Sequence, residues 1–262
     1  MSTSGAERAF AADELTEDGF LGGRLRIAQP RNGYRAATDP VLMAAACPAR
    51  PGQAVLELGC GAGVASICLG ARVAGVEQTG MELQHAYADL ARRNARANGI
   101  ALRVIEGDVA RPPADLRALG FDHVMINPPW YPAGGGTEAR DPGRETGLRE
   151  ATPLAAWIDL AVRRLRPGGW LTLIHLAARL PDLLAGCDGR LGSMDLLPLA
   201  PRGGRPATRI LLRARKGGRG GFRLLSPFVL HEGAAHLRDE NSHSAAAEAI
   251  LRHGEALNWP AR

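Results

Sequence analysis

Lysine is almost missing from this chain of 262 residues: Lys216 is the only one, so arginine serves as the general basic residue. A single arginine therefore says little about an anionic partner. Cysteine is scarce as well, and Cys47, Cys60, Cys68 and Cys187 sit in apolar or glycine-rich settings without a Cys-x-x-Cys spacing. That pattern supports neither a disulfide framework nor a zinc site. Four of the seven histidines, His231, His236, His243 and His253, share one C-terminal stretch but lack compact ligand spacing; they read as surface or capping residues, and no metal is expected. No apolar run approaches the roughly 18 residues that would cross a bilayer. Residues 1–17 are polar and acidic with no hydrophobic signal core, so a cytoplasmic protein is expected. Internal repeats are lacking too.

What the chain does have is uneven charge. The net charge is +5, and residues 196–231 contain no acidic side chain at all. Within that window fall Arg202, Arg205, Arg209, Arg213, Arg215, Lys216, Arg219 and Arg223. Clustering of this kind suits phosphate contact, and a polyanion-binding face is expected there, against the alternative of ordinary solvated arginines.

Residues 1–17 lack hydrophobic periodicity and read as a disordered tail. Residues 20–29 read as a short hairpin around Gly22-Gly23. Thr38 or Asp39 then caps a helix with Pro40 in its first turn. From residue 54 strands and helices alternate in the rhythm of a doubly wound sheet: strands at 54–58, 73–76 (ending at Glu77), 102–105, 121–126 and 170–176, with helices between them. The helix after Glu77 places Tyr87 among its apolar positions, and the helix after Thr152-Pro153 does the same for Trp157; both aromatics are expected in the core. An antiparallel hairpin is expected from 196–199 and 209–213, then an extended piece at 222–230 and a terminal helix at 245–252.

Two motifs carry chemistry. Glu57-Leu58-Gly59-Cys60-Gly61-Ala62-Gly63 follows the first of these strands and opens a helix, so its glycines let backbone approach a ligand with no Cβ in the way. The second is Asn127-Pro128-Pro129-Trp130, at the end of the strand 121–126. Pro128 pushes Asn127 into the extended region, and the two prolines fix two φ angles and remove two donors. A planar nitrogen with two hydrogens fits such a clamp. One hydrogen goes to the Asn127 side chain, one to the Pro128 carbonyl, and Trp130 stacks on the ring; taken alone, the tetrapeptide reads equally as a turn.

Together the two motifs resemble the class I S-adenosylmethionine-dependent methyltransferases, on the branch with an Asn-Pro-Pro-aromatic motif. The order of elements and the segment Phe222-Arg223-Leu224-Leu225-Ser226-Pro227-Phe228-Val229-Leu230-His231-Glu232-Gly233 extend the resemblance to the bacterial tRNA1(Val) adenine-N6 methyltransferase family over most of residues 18–252. That resemblance implies an α/β Rossmann-like fold with a doubly wound, mostly parallel seven-stranded sheet, an antiparallel C-terminal hairpin and a short N-terminal hairpin and helix. The expected division is a tail at 1–17, hairpin and helix at 18–50, and the methyltransferase domain at 51–262.

It also implies site residues. S-adenosylmethionine is expected on Gly59, Cys60, Gly61 and Gly63, with Glu57 organising the methionine end, Glu77 accepting the ribose hydroxyls, and Asp108 with Val109 at the adenine. Thr38 and Asp39 belong to a segment, 34–39, that resembles one closing over the methionine end, and read equally as a helix cap. Asn127, Pro128, Pro129 and Trp130 form the acceptor clamp, with Trp130 where relatives have tyrosine. Arg202, Arg205, Arg209, Arg213, Arg215 and Lys216 are expected on RNA, and residues 132–147, with Arg140 and Arg144, as a substrate loop.

The implied reaction is methyl transfer to an adenine N6 of tRNA in a single-stranded loop, by a protein expected to be monomeric. A glutamine amide fits the same clamp, so protein glutamine N5-methylation is the enzymatic alternative; it is disfavoured because only about fifty residues precede the glycine loop. A non-catalytic RNA-binding module with this fold is the third reading, and the intact clamp and carboxylates argue against it.

Overall fold

The computed structural model describes residues 8–132, 149–150, 152–233 and 242–262. The loop expected at 132–147 lies, past Pro132, outside the described residues, as do Arg140, Arg144 and His236.

A 3-10 turn at Ala12–Glu14 leads into β1 (Leu15–Phe20), which pairs antiparallel with β2 (Leu25–Pro30). The expected tail therefore ends earlier than residue 17. Leu15, Thr16 and Glu17 pair with Pro30, Gln29 and Ala28, so backbone pairing orders a stretch whose acidic composition hides it. After the hairpin come α1 (Thr38–Ala46), β3 (Ala54–Leu58), α2 (Val64–Arg72), β4 (Glu77–Glu82), α3 (His85–Ala97) and β5 (Arg103–Glu106). Then follow α4 (Ala114–Arg117), β6 (Phe121–Ile126), the short β7 (Tyr131–Pro132) and β8 (Arg149–Glu150), α5 (Leu154–Arg164) and β9 (Leu165–Leu176). A second 3-10 turn, Ala177–Arg179, joins α6 (Leu180–Cys187), and the chain closes with β10 (Leu191–Arg202), β11 (Arg209–Lys216), β12 (Arg223–Leu224), β13 (Phe228–His231) and α7 (Ala245–Leu251).

The main sheet runs β12-β10-β11-β9-β6-β3-β4-β5, with β13 also on β10. Strands β5, β4, β3, β6 and β9 are mutually parallel, and β11 is antiparallel to both β9 and β10. This is the expected doubly wound sheet of seven strands, with β12 and β13 added in short parallel pairs along β10.

Strand pleat sends alternate residues to opposite layers. Val55, Met125, Ile174 and Leu211 pack with Leu42 of α1 and Ile67 and Leu69 of α2. Leu56, Leu58, Ile126, Leu171 and Leu173 pack with Leu116, Ile158 and Leu183 on the other face. Each fully buried side chain of this size contributes about 1.5–3 kcal/mol.

The hairpin is sewn to α3 by two carboxamides. Asn94 accepts from Ala28 N at 2.9 Å and donates to Ala28 O at 2.9 Å, and Asn98 does the same for Arg26 N and O at 3.0 and 2.8 Å. Asn94 Nδ2 also donates to Ala62 O at 3.0 Å, inside the glycine loop.

One strand differs from expectation in a way that matters. Residues 73–76 form a turn, and the second parallel strand is β4, Glu77–Glu82, five of whose six residues are buried. Its polar sequence, Glu-Gln-Thr-Gly-Met-Glu, conceals a central strand. Gly80 is required within it because a Cβ there would stand 2.7 Å from Cys60 Sγ.

Candidate active site at the carboxyl edge of the sheet

Where strand order reverses between β3 and β6, the carboxyl ends of the parallel strands open into a cleft, as ligand sites of open α/β sheets do. It is open to solvent, and its wall draws on the hairpin, the glycine loop, the ends of β4 and β5, the clamp and α5.

The glycine loop forms its floor. Gly59, Gly61 and Gly63 have φ of 68°, 53° and 85°, in the left-handed region that disfavours side chains. A Cβ on Gly59 would come within 2.9 Å of the Trp157 ring. Gly63 occupies the N-cap of α2 and offers no side-chain cap. Glu57 does that work instead: its Oε2 accepts the Ser66 N–H at 3.0 Å and the Ser66 hydroxyl at 2.5 Å. Burial pushes the Glu57 carboxyl up to about 7, against the opposing pull of those two Ser66 bonds. Its other oxygen belongs to a residue lining the cleft.

Glu77 does not reach the cleft. It opens β4 in register with Ala54, at the amino end of β3, and is exposed. Five strand steps of about 3.3 Å separate it from the far end, roughly 16 Å. The acidic residue at that end is Glu82, buried in the cleft wall. Glu82 Oε2 accepts Gly61 N and Oε1 accepts Gln84 N, each at 2.9 Å. Burial raises its pKa, opposed by these backbone donors. The Leu83 backbone N–H opposes that rise too, and since an ionised carboxylate offers about four acceptor positions, acceptor capacity remains toward the cleft.

Asp108 and Val109 line the cleft beyond β5, and Asp108 Oδ1 is turned back onto Ala110 N at 2.8 Å. Cys60 lies in the wall with a buried thiol raised well above its ordinary range by burial.

The hairpin side supplies residues outside the sequence-derived set. Gln29, buried, donates to Ala36 O and accepts Ala36 N, holding the segment that carries Tyr34 against the opening. Tyr87, expected only as core, is buried, yet its hydroxyl accepts Tyr34 N at 2.7 Å and donates to Tyr34 O at 3.1 Å. Tyr34 is hydrogen-bonded in turn to the Asn127 side chain; burial, then the Asp39 and Glu57 carboxylates, push its phenol up to about 12. Thr38 and Asp39 stand back from the wall, which Pro40 reaches. Asp39 is instead buried in an ion pair with Arg209.

Asn127 and Pro129 face the cleft, Pro128 is buried, and half-buried Trp130 stands just outside the wall. Trp130 Nε1 lies 3.5 Å from Asn127 Oδ1, and the Arg209 guanidinium sits 5.7 Å from the Trp130 ring. Trp157, expected in the core, is half-buried and lines the cleft, and its buried Nε1–H has no partner among the described residues. Its position at the edge of the α5 apolar stripe explains the difference: the ring reaches past the core to Gly59. An unpaired buried donor on Trp157, the acceptor capacity left on Glu82 and the glycines of the floor fit the S-adenosylmethionine expected from the sequence.

The basic window does not form one face. Strand β11 carries its residues from one edge of the sheet to the other, since Arg209 pairs with Leu176 at the carboxyl end of β9 while Arg215 pairs with Trp170. Arg209 and Lys216 are roughly 23 Å apart by strand geometry. Lys216 Nζ donates to Val162 O and Leu165 O, both at 2.7 Å, closing the end of α5. Arg215 Nε donates to Gly168 O at 2.9 Å. Arg213 and Arg223 converge with Arg262 on fully buried Asp195. Arg202 reaches the carbonyls of Glu232 and Gly233, and Arg205 is exposed in the β10–β11 turn. Only Arg202, Arg205 and Arg209 share an edge with the clamp.

Comparison with known proteins agrees with this architecture. Residues 38–179, more than half of the chain, match the family model described as methyltransferase small domain. The tRNA1(Val) (adenine(37)-N6)-methyltransferase of Dickeya chrysanthemi is 27% identical over 245 residues, 91% of this chain and 94% of that protein. Its counterpart in Aeromonas hydrophila is 30% identical over 207 residues, 76% of this chain and 84% of that protein. Among solved structures, a predicted O-methyltransferase from Agrobacterium tumefaciens has a TM-score of 0.67 at 26% identity, covering 84% of this chain and 98% of that one. With the glycine loop, the buried carboxylates and the Asn-Pro-Pro clamp gathered at one sheet edge, the chain belongs to the methyltransferase small domain family, on the branch of the tRNA1(Val) (adenine(37)-N6)-methyltransferases.

Proposed function

We propose that this protein transfers a methyl group from S-adenosylmethionine to the N6 amino group of an adenine in tRNA, at adenine 37 of a tRNA1(Val)-type acceptor as named for its relatives. The observation that carries the reading is the placement of Asn127 in the same cleft wall as Glu57, Glu82 and the glycine loop.

Bound in that cleft, the cofactor supplies an electrophilic methyl group on a sulfonium. Glu82 holds the ribose hydroxyls, Asp108 and Val109 border the adenine, and Glu57 with Gly59, Cys60, Gly61 and Gly63 borders the methionine end. Asn127 Oδ1 and the Pro128 carbonyl take the two hydrogens of the acceptor amine, which aims the nitrogen lone pair at the methyl carbon. Adenine N6 is a poor nucleophile because its lone pair is delocalised, so orientation and electrostatic fit provide most of the acceleration. Transfer would break the sulfonium–methyl bond and release S-adenosylhomocysteine, and the methylated nitrogen would then lose one proton to solvent, so no strong base is needed beforehand. Trp130 stacks on the extruded base, worth about 1–3 kcal/mol, and a single-stranded loop releases that base most readily. Arg202, Arg205 and Arg209, on the clamp edge, are the basic residues placed to meet the loop's phosphates.

Incubating the protein with labelled cofactor and either total tRNA or a release factor tests this. Label is expected in tRNA as N6-methyladenosine. Label in the release factor and not in RNA would overturn the reading in favour of glutamine methylation, and label in neither would leave a binding module.

A further inference from the structure

Two successive prolines remove two backbone donors from the clamp, so the backbone of Pro128 and Pro129 can be fastened only through its carbonyls. The strand beside it supplies the fastening. Strand β9 pairs with β6 as far as Leu173, opposite Ile126, and then runs on for three residues past the end of β6. That overhang is held rigid from the other side, where His175 pairs with Ile210 and Leu176 with Arg209.

His175 sits on the overhang, fully buried at 1% exposure. Its Nδ1 accepts the Leu176 N–H at 2.8 Å, which leaves the ring proton on Nε2, and Nε2 lies 3.2 Å from Pro129 O. Both ring nitrogens are thus committed, and the tautomer is dictated by the backbone. Burial, with a further contribution from the Arg179 charge, depresses the imidazole pKa to about 4, so the ring is neutral at physiological pH. Arg179, in the following 3-10 turn and paired to Asp182, directs Nη1 to Trp130 O at 3.4 Å. The next carbonyl back, Pro128 O, has no donor among the described residues.

We infer that His175 is a positioning residue for methyl transfer: its Nε2–H anchors the Pro129 carbonyl, which orients the clamp backbone and leaves the Pro128 carbonyl to face the acceptor amine. The inference rests on the function proposed above for the clamp, but its structural half does not. A displacement of the clamp by a fraction of an ångström changes the approach angle of the nitrogen without touching the cofactor, so the signature is a loss in kcat.

Three proteins test it: wild type, His175→Phe, which fills the volume without a donor, and His175→Gln, whose amide N–H reaches toward the position of Nε2. Two readouts are needed. In protein labelled with 15N-histidine and 13C-carbonyl proline, wild-type His175 is expected to show the Nε2-protonated neutral tautomer. The Pro129 carbonyl resonance is expected to shift in His175→Phe and to return toward wild type in His175→Gln. Steady-state kinetics with tRNA at saturating cofactor are expected to show kcat lowered about tenfold or more in His175→Phe and restored to within about threefold in His175→Gln. The dissociation constant for S-adenosylhomocysteine is expected to change by less than about twofold in either.

An Nδ1-protonated tautomer, an unmoved Pro129 carbonyl, or wild-type kcat in folded His175→Phe would each overturn the inference. So would equal loss of kcat and of cofactor binding in both variants, since a merely structural role predicts that. If wild-type protein methylates no RNA while the carbonyl resonance behaves as expected, the proposed function fails and the anchoring stands.

Discussion

Glu82 and Glu77 bracket the same strand, and exchanging each for alanine separates two accounts of how the cofactor is gripped. Glu82 is buried and already holds Gly61 N and Gln84 N at 2.9 Å, while Glu77 is exposed at the far end of β4. Hydrogen bonds to a charged group contribute about 1.5–3 kcal/mol each. A ribose diol makes two, so Glu82→Ala forfeits about 3–6 kcal/mol of cofactor binding if both are lost, and the two backbone donors left behind add to the damage. Since 1.4 kcal/mol is a factor of ten, affinity for S-adenosylhomocysteine is expected to fall by about a hundredfold or more. Glu77→Ala, with no contact to the cleft, is expected to stay within about twofold of wild type. Isothermal titration measures both, and a thermal melt of each variant separates lost binding from lost fold. Glu82→Gln serves as the milder control, since it keeps one acceptor oxygen but turns a carboxamide NH2, itself a donor, toward the other backbone N–H. Equal losses for Glu77→Ala and Glu82→Ala, or an effect of Glu82→Ala below about threefold, would refute the assignment.

Three further outcomes are expected. Trp157→Phe keeps the ring over Gly59 but removes the unpaired Nε1–H, so cofactor affinity should drop about fivefold with little change in melting temperature, by the roughly 1 kcal/mol of a neutral hydrogen bond; an unchanged affinity would place that donor elsewhere. Glu57 is raised from 4.5 to about 7 on folding, so its contribution to stability is full below about 4.5 and is lost as pH rises through about 7. Glu57→Gln should therefore match wild type near pH 4 and exceed it by about 3 kcal/mol above pH 8, while binding cofactor more weakly; urea titrations at the two pH values check the sign. Asp195 is fully buried among Arg213, Arg223 and Arg262, and Asp195→Ala should cost about 3–5 kcal/mol in chemical denaturation by stranding those cations.

The parts of the site legible in the sequence were those whose backbone demands are written in residue type. A run from Phe121 to Ile126 followed by Asn-Pro-Pro admits few conformations, and three glycines after Leu58 announce a loop that must approach something closely. Strand β4 was not legible, because Gln78 and Thr79 are buried by their place in the sheet and not by their polarity. Reading Val73 and Val76 as the strand moved its acidic end five residues upstream, from Glu82 to Glu77. The arginine window showed that basic residues cluster along the chain but not which way a strand would carry them. Arg213 and Lys216 ended in structural contacts because β11 leads away from the clamp. Trp157 followed helical spacing and does pack against the core, yet its ring also reaches the cleft, since spacing gives the direction of a side chain and not its reach.

Asn94 has a consequence of another kind. Its single carboxamide completes the edge of β2 through Ala28 and, with the same Nδ2, holds Ala62 in the glycine loop. The hairpin and the cofactor floor therefore share a fastener, and neither can lift without loosening the other. A ligand that rigidifies the loop is expected to stiffen the wall carrying Gln29 and Tyr34 as well, and hydrogen exchange of the hairpin amides with and without S-adenosylhomocysteine checks it. The coupling between the two ends of the cleft thus runs through one asparagine of α3, a helix that also brings Tyr87 to the wall.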